Sequence, residues 1–380
     1  MAGIYIHIPF CGQFCTYCNF YSVTGGAYRE KFIQALQKEI HLKKNNTEGA
    51  STVYFGGGTP SVLSPSILHE ILDSVKIAFG TGGSSPAEIT IEVNPDDITP
   101  EYAKGLKASG FNRVSMGVQS FIDEHLAWMN RRHRADDAVK AYLLLREAGF
   151  ENISLDLIFG YGLLSDRQWE YNLNRIITLS PEHVSAYQMS VEPGSGLSAL
   201  LRRGEYTLPD DTVCAAQYRQ LQRMLTGAGY EQYEVSNFAR PGFRSRHNSS
   251  YWNKSPYLGL GPSAHSFDGK IRYWNTDSIK RYCAYYLACD SPFSAENLPA
   301  YAGGFEILSG TDIFHESLML GLRTAEGVDL SVLDTKLLAA VLPRIKQQVR
   351  LGNLILKDNR YMAIPAGKLF ISDSIIRELF

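Results

Sequence analysis

Hydrophobic positions along the first half of the chain follow two alternating patterns. Short runs rich in β-branched and aromatic residues recur at 4–8 (IYIHI), 52–55 (TVYF), 88–93 (EITIEV), 112–116 (NRVSM), 153–159 (ISLDLIF) and 183–189 (HVSAYQM). Between them, apolar residues return every three or four positions over 29–43, 64–79, 100–109, 135–148 and 166–179. The first pattern predicts strands and the second amphipathic helices. Their alternation predicts βα units around a parallel sheet, an α/β class. In such sheets ligand sites gather at the carboxyl ends of the strands. Polar residues stand there: GGGTP (56–60) after the second strand, Glu92 and Asn94 at the third, Gln119 after the fourth and Asp156 within the fifth.

The pattern changes beyond residue 190. A helix is predicted near 211–228, and YEQYEVSNFARPG (230–242) reads as a strand added beside the sheet. Residues 246–275, rich in Gly, Ser, Asn and aromatic side chains, read as an ordered but irregular segment. Residues 310–380 read as helices followed by a hairpin, LGNLILKDNRYMAI (351–364), with KDNR as its turn; that order predicts a winged-helix-like α+β domain. The expected division is a barrel core over 1–240, an irregular connecting segment over 241–305 and a winged-helix-like domain over 306–380.

Composition narrows the function. A length of 380 residues with 44% hydrophobic content provides a sizeable core. The net charge of −2 provides no whole-molecule field for nucleic acid or an anionic membrane. Neither a basic leader with a cleavage site nor an apolar run of roughly 18 residues is present, so a cytoplasmic location is expected, where thiols stay reduced. Residues 336–360 hold six Lys or Arg against one acidic residue, Asp358. A basic winged helix can bind nucleic acid, but a solvated helix face fits the near-neutral total better, and no nucleic-acid partner is expected.

The cysteines carry the sharpest signal. Of six, Cys11, Cys15 and Cys18 fall in CGQFCTYC with C-x3-C-x2-C spacing. Cys214, Cys283 and Cys289 lie in helical patterns and read as structural, Cys214 as a small buried apolar residue. Structural zinc takes four ligands, commonly as two pairs; here there are three, and the alternation in IYIHI turns His7 away from the loop end. An iron–sulfur cluster held by three thiolates, with one iron open to an external ligand, is the other reading. GGGTP supplies a turn that permits positive φ and close backbone approach, though a purely structural turn explains it equally well by itself.

Taken together, CGQFCTYC resembles the motif of the radical S-adenosylmethionine (SAM) superfamily, and GGGTP, EVNP, SMGVQSF and DLIFG resemble motifs of its oxygen-independent coproporphyrinogen III oxidase branch. The resemblance implies a partial (β/α)6 barrel, a 4Fe–4S cluster and bound SAM. It implies Cys11, Cys15 and Cys18 as cluster ligands, Tyr17 as the aromatic beside the cluster and Tyr5 beside the cofactor. It further implies Gly57, Gly58 and Thr59 as the glycine-rich cofactor contact, and Glu92, Gln119, Arg131 and Asp156 as polar residues holding SAM. From the residues alone, Glu92 reads as a loop cap, Gln119 as a partner for buried backbone, and Arg131 as part of a solvated face, RRHR. Asp156, between Leu155 and Leu157, is the exception, because a buried carboxylate requires a partner.

Two departures from the oxidase pattern stand out. The oxidases carry a further cysteine two positions past the third, where this chain has Phe20, and a longer segment before the first strand. HNSSYW (247–252) and YLGLGPSAHSF (257–267) instead resemble segments of heme-chaperone members of the branch. That implies a protein that binds heme and passes it to an acceptor protein, with an electron donor as a second partner and peripheral membrane contact permitted. No catalytic residue is assigned. The alternative is the oxidase itself, acting through a 5'-deoxyadenosyl radical. His247, beside Asn248, Tyr251 and Trp252, is the expected heme ligand. His265, with apolar neighbours, is expected to be buried and structural.

Overall fold

The computed structural model describes residues 2–44, 46, 49–80, 86–290, 303–358 and 360–380. Six parallel strands form its centre: β1 (Ala2–Ile8), β2 (Ala50–Gly57), β3 (Glu88–Val93), β4 (Arg113–Gln119), β5 (Ile153–Phe159) and β6 (His183–Gln188). They lie side by side in chain order. Helices Arg29–Leu42, Pro65–Phe79, Pro100–Ala108, Ala135–Glu147 and Asp166–Leu179 follow successive strands, each within one residue of its predicted bounds. Their starts are built locally. Ser64 accepts from the Ile67 backbone N–H, and Ser165 forms a reciprocal capping box with Gln168.

The period-two pattern separates two environments. Ile4, Ile6 and Ile8 of β1, and Val53 and Phe55 of β2, are buried in the hydrophobic core that the helices share. The alternate positions face inward and are polar or aromatic: Tyr5 and His7, Thr52 and Tyr54, Glu88 and Glu92, Arg113 and Ser115, Ser154 and Asp156, His183 and Ser185. The barrel interior is therefore a polar well, and its hydrogen bonds run across strands. Examples are Ser115 to Asp156 and Ser154 to His183.

Further strands extend the sheet to twelve. Asn237–Ala239 pairs antiparallel with β6, and Glu231–Gln232 follows it, so YEQYEVSNFARPG adds strands where expected. On the other edge Tyr257–Leu260 runs parallel to β1, followed by the antiparallel strands His265–Phe267, Ile271–Trp274 and Gly304–Ile307. The stretch expected to be irregular is thus mostly regular: it opens with a helix, Arg246–Trp252, and continues as sheet. Long-range partners order it. The Glu88 carboxylate takes the first backbone N–H groups of that helix, and β1 supplies the ladder for Tyr257–Leu260. Residues 291–302 of the expected connecting segment lie outside the described residues.

A buried polar network fastens this extension to the barrel. Glu39, fully buried, accepts hydrogen bonds from Lys43, Tyr282, Tyr286, Asn275 and the Gly261 backbone at 2.6–2.9 Å. In the last part of the chain, helices Gly310–Gly321 and Thr335–Arg350 precede a hairpin, Ile355–Lys357 with Tyr361–Ala363. Val328–Asp329 adds a third strand, in keeping with a winged-helix-like arrangement. Asn359 of the expected KDNR turn lies outside the described residues.

Candidate cofactor site at the strand ends

The site is assembled from loops that leave the carboxyl ends of the strands. Cys11, Cys15 and Cys18 sit in the loop after β1, and no cysteine of the chain is in a disulfide. The GGGTP turn after β2 is clamped to that loop: Gly58 N donates to Ile8 O at 2.9 Å and Thr59 N to Phe10 O at 2.7 Å. Thr59 Oγ1 lies 3.4 Å from Cys11 Sγ. The glycines are required by this contact. Gly57 has φ +108°, and a Cβ there would lie 2.7 Å from the His7 ring; one on Gly58 would lie 2.7 Å from Phe10 O and 3.1 Å from Cys11 Sγ. The crowding comes from the protein itself, from the His7 ring at Gly57 and from the start of the cysteine loop at Gly58.

His7 is not turned away from this region as the alternation of IYIHI had implied. Its Nε2 bonds to Tyr21 O at 2.8 Å, just past the third cysteine, and its ring packs against Gly57. Burial lowers its pKa to about 4, so it stays neutral.

Arg131 likewise departs from a solvated face. Its guanidinium donates to Asn94 Oδ1 and Gly117 O, both at 2.7 Å, and to Cys15 Sγ at 3.4 Å. Its Nε is buried without a partner among the described residues. Next to it Arg132 pairs with Asp96 and Asp97, and His133 bonds to Val118 O. A cation beside Cys15 offsets thiolate charge, which suits a site that gathers three thiolates.

The thiols feel one another. Burial pushes the Cys18 thiol up to about 11, and charge on Cys15 and Cys11 pushes the same way. Such thiols lose their protons to a metal rather than to water. Tyr17 hydrogen-bonds to Cys15, and burial raises its pKa. Among the described residues no three His, Cys, Asp or Glu side chains converge as ligands of one ion would. A cubane asks for something different, since each thiolate takes its own iron. Three thiols on one loop, with Arg131 beside them, fit that demand.

Glu92 and Asp156 line the well below. Glu92 accepts from the Tyr54 hydroxyl at 2.8 Å. Burial pushes its pKa up to about 7, with the Tyr54 bond working against that shift and Asp156 adding to it. Asp156 is also raised by burial, opposed by bonds from Ser185, Ser115 and Ser154 and by the charge of Arg113. The partner required by its burial is therefore supplied by serines of three adjacent strands, leaving ligand contact as an addition. Gln119 follows a register shift between Gly117 and Gln119 and adopts φ +66°. Such a bulge re-aims a side chain at the end of a strand. Tyr5 stacks on Tyr54 at 6.1 Å, beside Glu92.

His247 and His265 are placed opposite to expectation, the first buried and the second exposed. His247 is 1% exposed. Its Nδ1 bonds to Thr52 Oγ1 at 2.8 Å and its Nε2 to the Tyr251 hydroxyl at 2.9 Å, so both nitrogens are engaged. An axial heme ligand needs one free nitrogen lone pair, and this arrangement leaves none. His265 is exposed and stacks on Trp274 at 5.4 Å, because it begins a short strand near the sheet's edge. Cys214 and Cys283 are buried on helices as expected, whereas Cys289 is only partly buried and caps the end of Ile279–Ala288 instead of lying within it.

Arg113 is the inward-facing residue that sequence reasoning passed over. It is 1% exposed, and its Nε and Nη1 have no partner among the described residues. Its sequence signal was a cation at the first position of a strand.

Comparison with known proteins agrees with this geometry. The Radical SAM superfamily model matches residues 5–176. The chain is 34% identical to the heme chaperone HemW of Mycobacterium tuberculosis, covering 99% of this chain and 94% of that protein. It is 35% identical to HemW of Bacillus subtilis, covering 86% and 85%. Its fold matches the solved structure of the coproporphyrinogen III oxidase HemN from Escherichia coli with a TM-score of 0.82, over 100% of this chain and 89% of that one, at 22% identity. Superfamily membership implies a 4Fe–4S cluster and SAM. With the Radical SAM match over residues 5–176 and near full-length similarity to these chaperones, the chain belongs to the HemW family of radical SAM proteins.

Proposed function

We propose that the protein binds heme and transfers it to an acceptor protein, working in the cytoplasm with a 4Fe–4S cluster and SAM at the strand ends. The observation that carries this reading is near full-length similarity to proteins named heme chaperones, joined to an intact cysteine triplet. Phe20, 69% exposed, stands where the oxidases have a fourth cysteine.

Cys11, Cys15 and Cys18 hold the cluster in this reading, and Arg131 and Tyr17 orient Cys15. Gly57, Gly58 and Thr59 present backbone to the amino-acid end of SAM, while Glu92, Gln119 and Asp156 face its polar groups and Tyr5 packs beside it. When bound, the cluster would supply one-electron reducing chemistry at the sulfonium. The chain's own contribution is to orient the cofactor and to keep Glu92 and Asp156 in a sheltered, hydrogen-bonded setting. An electron donor is a required partner of that chemistry. No helix among the described residues is long and apolar enough to cross a membrane, so any membrane contact made in reaching an acceptor is peripheral in this reading.

Anaerobic incubation of the reconstituted protein with coproporphyrinogen III, reductant and SAM tests the reading against the oxidase. The expected result is no protoporphyrinogen at an enzymatic rate. Multiple-turnover product would replace the chaperone reading with the oxidase.

A further inference from the structure

HNSSYW lies near the amino-terminal ends of the strands, far along the barrel from the cysteine loop. A chain of contacts nevertheless joins HNSSYW to Glu92. Glu88 and Glu92 stand on the same inward face of β3. Glu88 accepts from the backbone N–H groups of Arg246 and His247, both at 2.9 Å, and so fixes the start of the HNSSYW helix. From there the His247 ring stacks on Tyr54, with centroids 5.0 Å apart and planes at 26°. The Tyr54 hydroxyl in turn donates to Glu92 Oε1 at 2.8 Å. The imidazole itself is held by Thr52 and Tyr251, and Gly3 leaves its space: a Cβ there would lie 3.2 Å from the ring.

We propose that HNSSYW is a positioning element for the SAM pocket, in which His247 acts through Tyr54 to fix the Glu92 carboxylate. The inference rests on the placement of SAM at the strand ends proposed above. A tyrosine with open space behind its ring can rotate its hydroxyl away from a carboxylate. One packed against Tyr5 and His247 cannot do so without losing those contacts. Supporting residues of this kind set how accurately a binding group is held. Burial keeps the imidazole neutral, with a pKa lowered to about 3, so it adds packing without adding charge near Glu92.

The test is SAM affinity and site number, measured by anaerobic calorimetry on cluster-reconstituted protein. Glu92→Gln is expected to weaken binding tenfold or more, by loss of a charge-assisted contact. Tyr54→Phe keeps the ring and removes the hydroxyl, and is expected to weaken binding by roughly fivefold to tenfold. His247→Ala is expected to match Tyr54→Phe, and His247→Phe to recover most of the affinity by restoring a ring at the stacking position. All four variants should keep their cluster absorbance. A residue that only maintains the fold would lower the number of sites and leave the dissociation constant of the remainder unchanged. If Glu92→Gln binds as wild type, the placement of SAM is wrong. If Glu92→Gln weakens binding while Tyr54→Phe and His247→Ala leave the dissociation constant unchanged, the placement stands and the positioning role is overturned.

Discussion

Arg131 shows how much a single side chain depends on its surroundings. RRHR has the composition of a solvated face, yet Arg131, Arg132 and His133 all bond to the protein around the mouth of the barrel. The cue that separates Arg131 from a surface cation is Asn94, two residues past Glu92, which receives its guanidinium. Asp156 was legible as a carboxylate in need of a partner, but Ser115 and Ser185 were not, because they arrive by cross-strand register from β4 and β6. Arg131→Met preserves length and removes the bonds to Cys15, Asn94 and Gly117. It should destabilise the protein by about 2–4 kcal/mol and lower cluster loading, read by iron and sulfide content and by denaturant titration. Cys15→Ala should abolish the cluster and Cys214→Ala should spare it. A full cluster in the Cys15 variant would reject the triplet as its ligands.

At the scale of elements, periodicity was a good guide wherever local sequence decides the outcome. The six strands and the helices between them fall within a few residues of their predicted bounds, since their apolar faces and caps are local. The 246–275 stretch was misread because its order is borrowed: Glu88 lies about 160 residues earlier in the chain, and the β1 ladder about 250. GGGTP was legible as a glycine-dependent turn, but not its clamp on the cysteine loop. That clamp separates two substitutions. Gly58→Val pushes a branched side chain into Phe10 O and Cys11 Sγ and should reduce cluster content severalfold. Gly57→Val meets the His7 ring and a positive φ, and should cost stability by about 1–3 kcal/mol, with a smaller effect on the cluster. Iron content measured beside thermal melting distinguishes them; equal cluster content in both variants and wild type would remove the clamp from the account.

The whole molecule is held together by buried polar contacts between distant parts of the chain. Glu39 fastens the 261–286 stretch to the first helix. A short pairing of Glu234 with Thr324 fastens the last part of the chain to the edge of the sheet. Glu234 is 1% exposed, and its Oε2 has no partner among the described residues. Burial pushes its pKa up to about 7, against bonds from the Ser236 and Asn237 backbone and side chain. A carboxyl whose pKa is higher folded than unfolded adds stability that is fully present below about pH 4.5 and is lost as pH rises through about 7. Relative to wild type, Glu234→Gln should therefore gain about 2 kcal/mol of stability at about pH 8 over its value at about pH 5.5, read by melting at the two pH values. An unchanged pH profile in the variant would show that the carboxyl is not the titrating group.

Heme transfer is the property on which the functional reading depends most. The direct measurement is to load the reconstituted protein with heme, remove the excess, and follow the Soret band after adding a heme-free hemoprotein. The account predicts saturable binding near one heme per chain, then movement of that heme to the acceptor faster than free heme enters it at the same concentration. Absence of saturable binding, or transfer no faster than from free heme, would contradict it.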